Sequence, residues 1–257
     1  MMGGTLARRP ALDLELRKLA RSPVTRVATV AVLILTVVTT VGGYAAAASA
    51  PASDMARKAA AMVPTQDWAG FTGLAATSVG ITMLLAAGIV MAWTAGREFT
   101  DGTIVGLFAV PPRLTSIAAA KVAATLAWVM LLSVVTAALL SIGGITLGLG
   151  ASGVVRSAAT TASVAVLLGV SALPVMWVAT RLRGYLGGIA AALLIVIVTN
   201  VTAGFGLGSY LPWAIPVLWA IPGTRVPTPL LTLPLTVGLL GWWAVLRAWR
   251  GLQLGAA

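Results

Sequence analysis

The sequence predicts an all-α membrane protein. It should have six transmembrane helices, an N-terminal amphipathic interfacial helix and both termini in the cytoplasm. Three observations carry this reading. The 257 residues are 59% hydrophobic and only 9% charged, where a soluble domain holds about 25% charged residues. The apolar residues gather into runs of about 20, the length a helix needs to cross a bilayer. Lysines and arginines crowd into alternate connections between those runs, which sets orientation.

The overall charge is +11, from 17 Lys+Arg against 6 Asp+Glu. In a soluble protein this would point to nucleic acid. Beside membrane spans, cations flank the apolar runs and meet anionic headgroups, so no nucleic-acid partner is expected. The absence of Cys and His excludes disulfides, thiolate chemistry, histidine bases and the usual zinc or haem ligands. No catalytic residue, bound cofactor or metal site is expected. The eight methionines are scattered and form no thioether relay.

The chain opens on a polar, basic leader. Within it, residues 10–22 place Leu12, Leu16 and Leu19 at helical spacing, with Asp13 and Arg17 four apart on another face. This predicts an amphipathic helix on the membrane surface. The first span covers about 24–43. AASA at 47–50 has the form of a signal cleavage site. The apolar run before it exceeds the ~7–15 residues of a signal core, and Pro51 follows, so a retained span is expected. A polar loop over 45–69 leads to the second span, about 70–94. The third covers about 117–142, with Lys121 near its start able to snorkel. A Gly-rich link over 143–155 leads to the fourth, about 157–179, where Pro174 predicts a kink. The fifth covers about 185–205 and the sixth about 230–246. Between these two, residues 206–229 are rich in Pro and Trp and too short to cross twice. They read as an extracellular re-entrant segment, tolerable where protein covers its backbone. Thirteen of the 17 Lys and Arg fall on the N-terminal side of this layout, which places both termini in the cytoplasm of a multi-pass cell-membrane protein.

The cytoplasmic segment 96–116, GREFTDGTIVGLFAVPPRLTS, stands out. Glu98 and Asp101 are a third of the acidic residues, three apart and drawn on one helical face. Gly102 permits a turn or close approach. Pro111 and Pro112 interrupt one element and can start another at Arg113. TIVGLFAV, between them, is apolar but too short to span, so it must lie in the interface or dock on protein.

Glu98-x3-Gly102-Thr103-x7-Pro111, followed by Arg113-x7-Lys121, resembles the loop between spans two and three of ABC-2 type transporter permeases. ELRKLARSP is similar to their amphipathic connecting helix, which would assign Glu15, Arg17 and Lys18 to that helix. The double proline departs from the family's more usual spacing and alters the local turn. The resemblance implies a coupling helix over 97–113, with Arg97, Glu98, Asp101, Gly102, Thr103, Pro111 and Arg113 seated on an ABC ATPase. It implies two ATPase subunits, with ATP and Mg bound there rather than on this chain. It also implies pairing of the permease with itself or a homologue. The chain itself has no G-x-x-x-x-G-K-[ST] phosphate loop, so an energy source must come from another chain, or the protein is not a pump.

Glu98 is a candidate brace for the coupling geometry, through Arg97, Arg113 or the leader helix; an exposed surface pair is the plainer alternative. A catalytic pairing with Asp101 has no metal-binding companion and no His to work with. Asn200, with Thr199 and Thr202, is a candidate for the substrate path or a dimer interface, or simply for helix packing. Gly184-x3-Gly188 and Gly204-x3-Gly208 fit small-residue packing. Trp213, Pro216 and Trp219 are candidates for an extracellular gate, or for ordinary interfacial anchoring. The function this implies is the permease of an exporter for hydrophobic or amphipathic cargo, such as a drug, a peptide antibiotic or a lipid-linked molecule. A non-transporting anchor or regulator of an ABC ATPase is the alternative.

Overall fold

The computed structural model describes residues 8–49, 54, 57, 60–61, 63–108 and 113–253. Helices joined by turns are the regular structure of the described residues, with no strand among them. An N-terminal helix, Arg8–Arg21, is followed by six helices long and apolar enough to cross a membrane: Pro23–Ala48, Trp68–Thr100, Leu114–Thr146, Val154–Arg181, Tyr185–Gly204 and Thr228–Arg250. They are the first to sixth spans below. Several run past the apolar runs that predict them, because a helix continues through charged residues until a cap or turn stops it.

The caps are legible. Ser22 accepts the Thr25 N–H at 3.2 Å, with Pro23 at the first helical position. Asp67 accepts the N–H groups of Ala69 and Gly70 at 3.0 Å each. The Thr65 hydroxyl, 2.6 Å away, and those two N–H groups hold the Asp67 carboxyl below its usual range. The second span ends at Thr100, where Gly102 adopts φ +68, a left-handed conformation that glycine takes without a Cβ penalty. The first span carries one turn of π-helix, Val38–Gly42.

The second span is the centre of the bundle. Of its most apolar stretch 67% is buried, against 22%, 17% and 22% for the first, fifth and sixth spans. It reaches that position by shedding side chains along one side. A Cβ on Gly73 would meet Pro222 at 2.9 Å, one on Gly80 would meet Val217 at 2.5 Å, and one on Gly88 would meet Ala192 at 2.5 Å. At Gly96 it would lie 2.3 Å from the Tyr185 backbone nitrogen. The N-terminal half of this seat holds the segment before the sixth span, and the C-terminal half holds the fifth span. In a membrane, close packing of small residues is a main source of helix association. Gly188 belongs to the same contact, against Ala92. Gly204 faces open space and Gly208 meets Leu218, so that second pair does not bring two helices of this chain together.

Polar cross-links tie the other spans together. Thr72 donates to Ser157 at 2.7 Å, Thr36 and Thr82 lie 3.0 Å apart, and the Trp128 indole donates to Thr29 at 2.9 Å. The fourth span breaks at Ala172, just before Pro174. There the Val175 N–H bonds the Ala172 carbonyl three residues back at 2.9 Å, and the Ser171 carbonyl accepts the Trp213 indole at 3.2 Å. A proline break frees backbone acceptors, and a neighbouring side chain takes one up. Trp249, fully buried, donates to the Thr180 hydroxyl at 3.2 Å and packs edge-on to Phe99. It joins the sixth, fourth and second spans at one end.

Gly96→Val should therefore be among the most damaging single changes in the bundle, because its Cβ meets backbone rather than a movable side chain. The expected loss is about 3 kcal/mol, at the upper end for overpacking. Gly204→Ala, in open space, should stay within about 0.5 kcal/mol. Thermal unfolding of the detergent-solubilised protein distinguishes them; equal midpoints would contradict the close contact at Gly96.

Candidate functional site

The segment after the second span is built around buried charge. Lys121 is 1% exposed, although it sits only two turns into the third span. Its ammonium donates to Glu98 Oε1 at 2.7 Å and to Glu15 Oε2 at 3.0 Å. Lys18 reaches the same two carboxylates, each at 3.3 Å. The Thr103 hydroxyl donates to Glu98 Oε2 at 2.7 Å. Two ammoniums and two carboxylates thus alternate in a neutral cluster. It joins the N-terminal helix, the end of the second span and the start of the third.

Local structure explains each position. On the N-terminal helix the buried face is Ala11, Glu15 and Leu19, spaced four apart. Leu16 is 38% exposed and Leu14 is 53% exposed, so the Leu12, Leu16 and Leu19 stripe does not coincide with the buried face. Leu12 and Leu19 belong to the packed side; Leu16 does not. The reason is that a carboxylate paired with the buried Lys121 and the half-buried Lys18 outranks a leucine for the inward position. For the same reason Lys121 does not snorkel to the surface.

Glu98 and Asp101 do not share a face. Glu98 is buried and Asp101 is exposed, because the helix ends between them. Asp101 is the C-cap, its N–H bonded to the Arg97 carbonyl at 2.8 Å. Glu98 meets the leader helix, and neither Arg97 nor Arg113. Arg97 lies instead over the Trp93 ring at 4.3 Å, and Arg113 is an exposed N-cap. Arg17 pairs with Asp13 at 2.9 Å on the exposed side. Gly102 is exposed at the turn. Between Thr103 and Phe108 the chain makes one short helix, Ile104–Leu107. Ile104 and Leu107 pack on the core and Val105 points outward, 59% exposed. Pro111 lies outside the described residues.

At the other end, a small cavity of about 160 Å³ lies between the second span, the fifth span and the helix Ile215–Ala220. Thr199, Asn200 and Trp213 line it together with Thr77. The Thr199 hydroxyl is buried with no partner among the described residues. Asn200 bonds the Val196 carbonyl one turn back at 2.8 Å. Thr202 is half-buried outside this cavity, Pro216 is buried, and Trp219 is half-buried beside the fourth span.

Sequence reasoning missed two features. Lys121 and Thr103 belong to the cluster; the available signal was a lysine two turns inside an apolar helix, where an unpaired charge is costly. The second is a repeated spacing, Trp93-x3-Arg97, Trp177-x3-Arg181 and Trp243-x3-Arg247, at the ends of the second, fourth and sixth spans.

Six apolar helices with a polar, ion-clamped end describe a multi-pass membrane protein. Residues 11–199 match the model of the ABC-2 family transporter protein family, and the chain belongs to that family. Comparison with curated proteins finds no significant match. The family is one of membrane subunits that work with the bilayer and with ABC ATPases.

The ionic cluster sets an expected outcome. Lys121→Met leaves two buried carboxylates short of a partner and should cost about 3–5 kcal/mol. Glu98→Gln should cost a similar amount. The double variant should recover about 1–3 kcal/mol relative to the sum, because contacting residues are not additive. Unfolding of the four proteins in detergent gives the cycle directly; strict additivity would show that the pair is uncoupled.

Proposed function

We propose that this chain is the membrane-spanning permease of an ATP-driven exporter in the cell membrane, moving hydrophobic or amphipathic cargo. In this reading both termini are cytoplasmic, which agrees with the 13 cations on their side of the layout. Two ABC ATPase subunits bind ATP and Mg and dock beneath it, and two permease chains, alike or homologous, line the path. The observation that carries the proposal, beside family membership, is the cluster of Glu15, Lys18, Glu98 and Lys121.

The mechanism follows from which groups are buried and which are free. Asp101, Gly102, Val105 and Arg113 face outward and offer the ATPase a mixed apolar and charged contact. Glu98 lies buried just behind, bonded by the exposed Thr103 hydroxyl, and connects that contact to two spans and the N-terminal helix. ATP-driven closure of the ATPase pair would push the exposed turn, and the clamp would pass the displacement to the second and third spans together. ATP and cargo must each bind the two states unequally for this to do work. The cavity beside Thr77 and Thr199 is apolar with a few hydroxyls, which suits an amphipathic cargo better than an ion.

The deciding experiment is a pull-down of the tagged chain from mildly solubilised native membranes. A stoichiometric P-loop ATPase is expected. Asp101→Lys combined with Arg113→Glu should cut its recovery by about tenfold, since reversed charges at a contact disfavour it. The permease's own melting midpoint should not move. Recovery of the chain alone would overturn the reading. An ATPase whose rate ignores every candidate cargo would favour a non-transporting anchor.

A further inference from the structure

The Trp-x3-Arg spacing recurs three times, and two of its copies meet. The fourth and sixth spans both run toward the end of the bundle that carries the N-terminal helix, and both stop there. Between their last turns lies a cleft of about 520 Å³, lined by Trp177, Arg181, Trp243, Arg247 and Arg250. The three arginines are exposed, and no carboxylate among the described residues pairs with them. The third copy of the motif behaves differently. Arg97 is half-buried and lies over its own tryptophan at 4.3 Å, whereas Arg247 stands 5.8 Å from the Trp243 ring.

We propose that this cleft binds the phosphate of an anionic phospholipid headgroup, held by Arg181, Arg247 and Arg250 between the indoles of Trp177 and Trp243. Guanidinium groups suit phosphate because their N–H pairs match two phosphate oxygens at once. Basic pockets between transmembrane helices bind such headgroups, and tryptophan rings sit at headgroup depth. The site continues toward the apolar side. Leu239, Leu240 and Trp243 of the sixth span are 60%, 61% and 62% exposed and offer acyl chains a surface directly below the headgroup. A soluble phosphate would use the arginines and leave that surface without a role. The inference concerns the lipid around the bundle and stands whether or not the chain exports anything.

Native mass spectrometry of the delipidated, detergent-solubilised full chain tests it, with phosphatidylglycerol, phosphatidylcholine or inorganic phosphate added. Phosphatidylglycerol should remain bound with a preference of about tenfold over phosphatidylcholine, in line with the pull of a few cations on an anionic headgroup. Arg181→Gln with Arg247→Gln should abolish that preference. The charge-matched Arg21→Gln with Arg26→Gln should keep it. An unchanged size-exclusion profile and melting midpoint in the lipid-free state shows that both variants fold. Equal loss in the two double variants would reduce the effect to net charge and overturn the site. Equal retention of the two lipids would overturn it as well. Displacement of the lipid by millimolar inorganic phosphate would assign the arginines to a soluble anion instead.

Discussion

Lys121 can be buried two turns into an apolar helix only because two carboxylates meet it there. An isolated ammonium in such surroundings would lose its proton or force the helix outward. Glu98 arrives from the preceding span and Glu15 from the N-terminal helix, so the charge is balanced only when three separate elements are in place. Lys18 then neutralises the second carboxylate. The cluster is thus a register device. Buried ion pairs are poor sources of net stability, since desolvation offsets most of the attraction. Their strength is that a misplaced partner leaves an uncompensated charge. The end of the second span, the turn at Gly102 and the start of the third span depend on that constraint.

The rest of the bundle is arranged around the same span by the opposite means. Where the cluster uses long charged side chains, the membrane interior uses their absence. The glycines at 73, 80, 88 and 96 bring the fifth span and residues 217–222 against bare backbone. Lipid tails are as apolar as leucine, so apolar area alone gives the spans little reason to associate. Close approach, Thr–Ser hydrogen bonds and the Trp213 and Trp249 indole bonds supply specificity instead. A displacement of the second span is therefore felt by nearly every other helix.

Much of this was legible in the sequence, and for physical reasons. Runs of about 20 apolar residues mean a spanning helix in any context, and the motif from Glu98 to Lys121 marked the segment that carries the family resemblance. The helix ends were less legible. The second span continues to Thr100 because Gly102 stops it, not the first charge at Arg97. The cluster was least legible. Lys121 and Glu15 are 106 residues apart and Lys18 and Glu98 are 80 apart, and no local pattern relates them. Helical drawing placed Glu98 and Asp101 together because it assumed a helix through both. Leucine spacing on the N-terminal helix shows which residues suit an apolar surface, whereas Glu15 is buried for another reason, its pairing with Lys121.

The cluster also limits how the proposed coupling could work. If the exposed turn moved relative to the second and third spans, Glu98 would part from Lys121 and both would face a low-dielectric environment unpaired. That costs about 3–5 kcal/mol, a large share of the stability that separates a folded domain from its unfolded chain. A displacement that keeps Glu15, Lys18, Glu98 and Lys121 together avoids this cost altogether. The cheap motion is then a rigid tilt of the N-terminal helix with the inner ends of the second and third spans. Its compliance must lie elsewhere, at places already irregular: the π-helical turn of the first span and the break at Ala172 in the fourth. A helix with a slipped hydrogen-bond ladder bends at less cost than a regular one. In the proposed mechanism the ionic clamp and these two irregular turns would be complementary parts of one lever, the first keeping it stiff where force enters and the second letting it yield within the membrane.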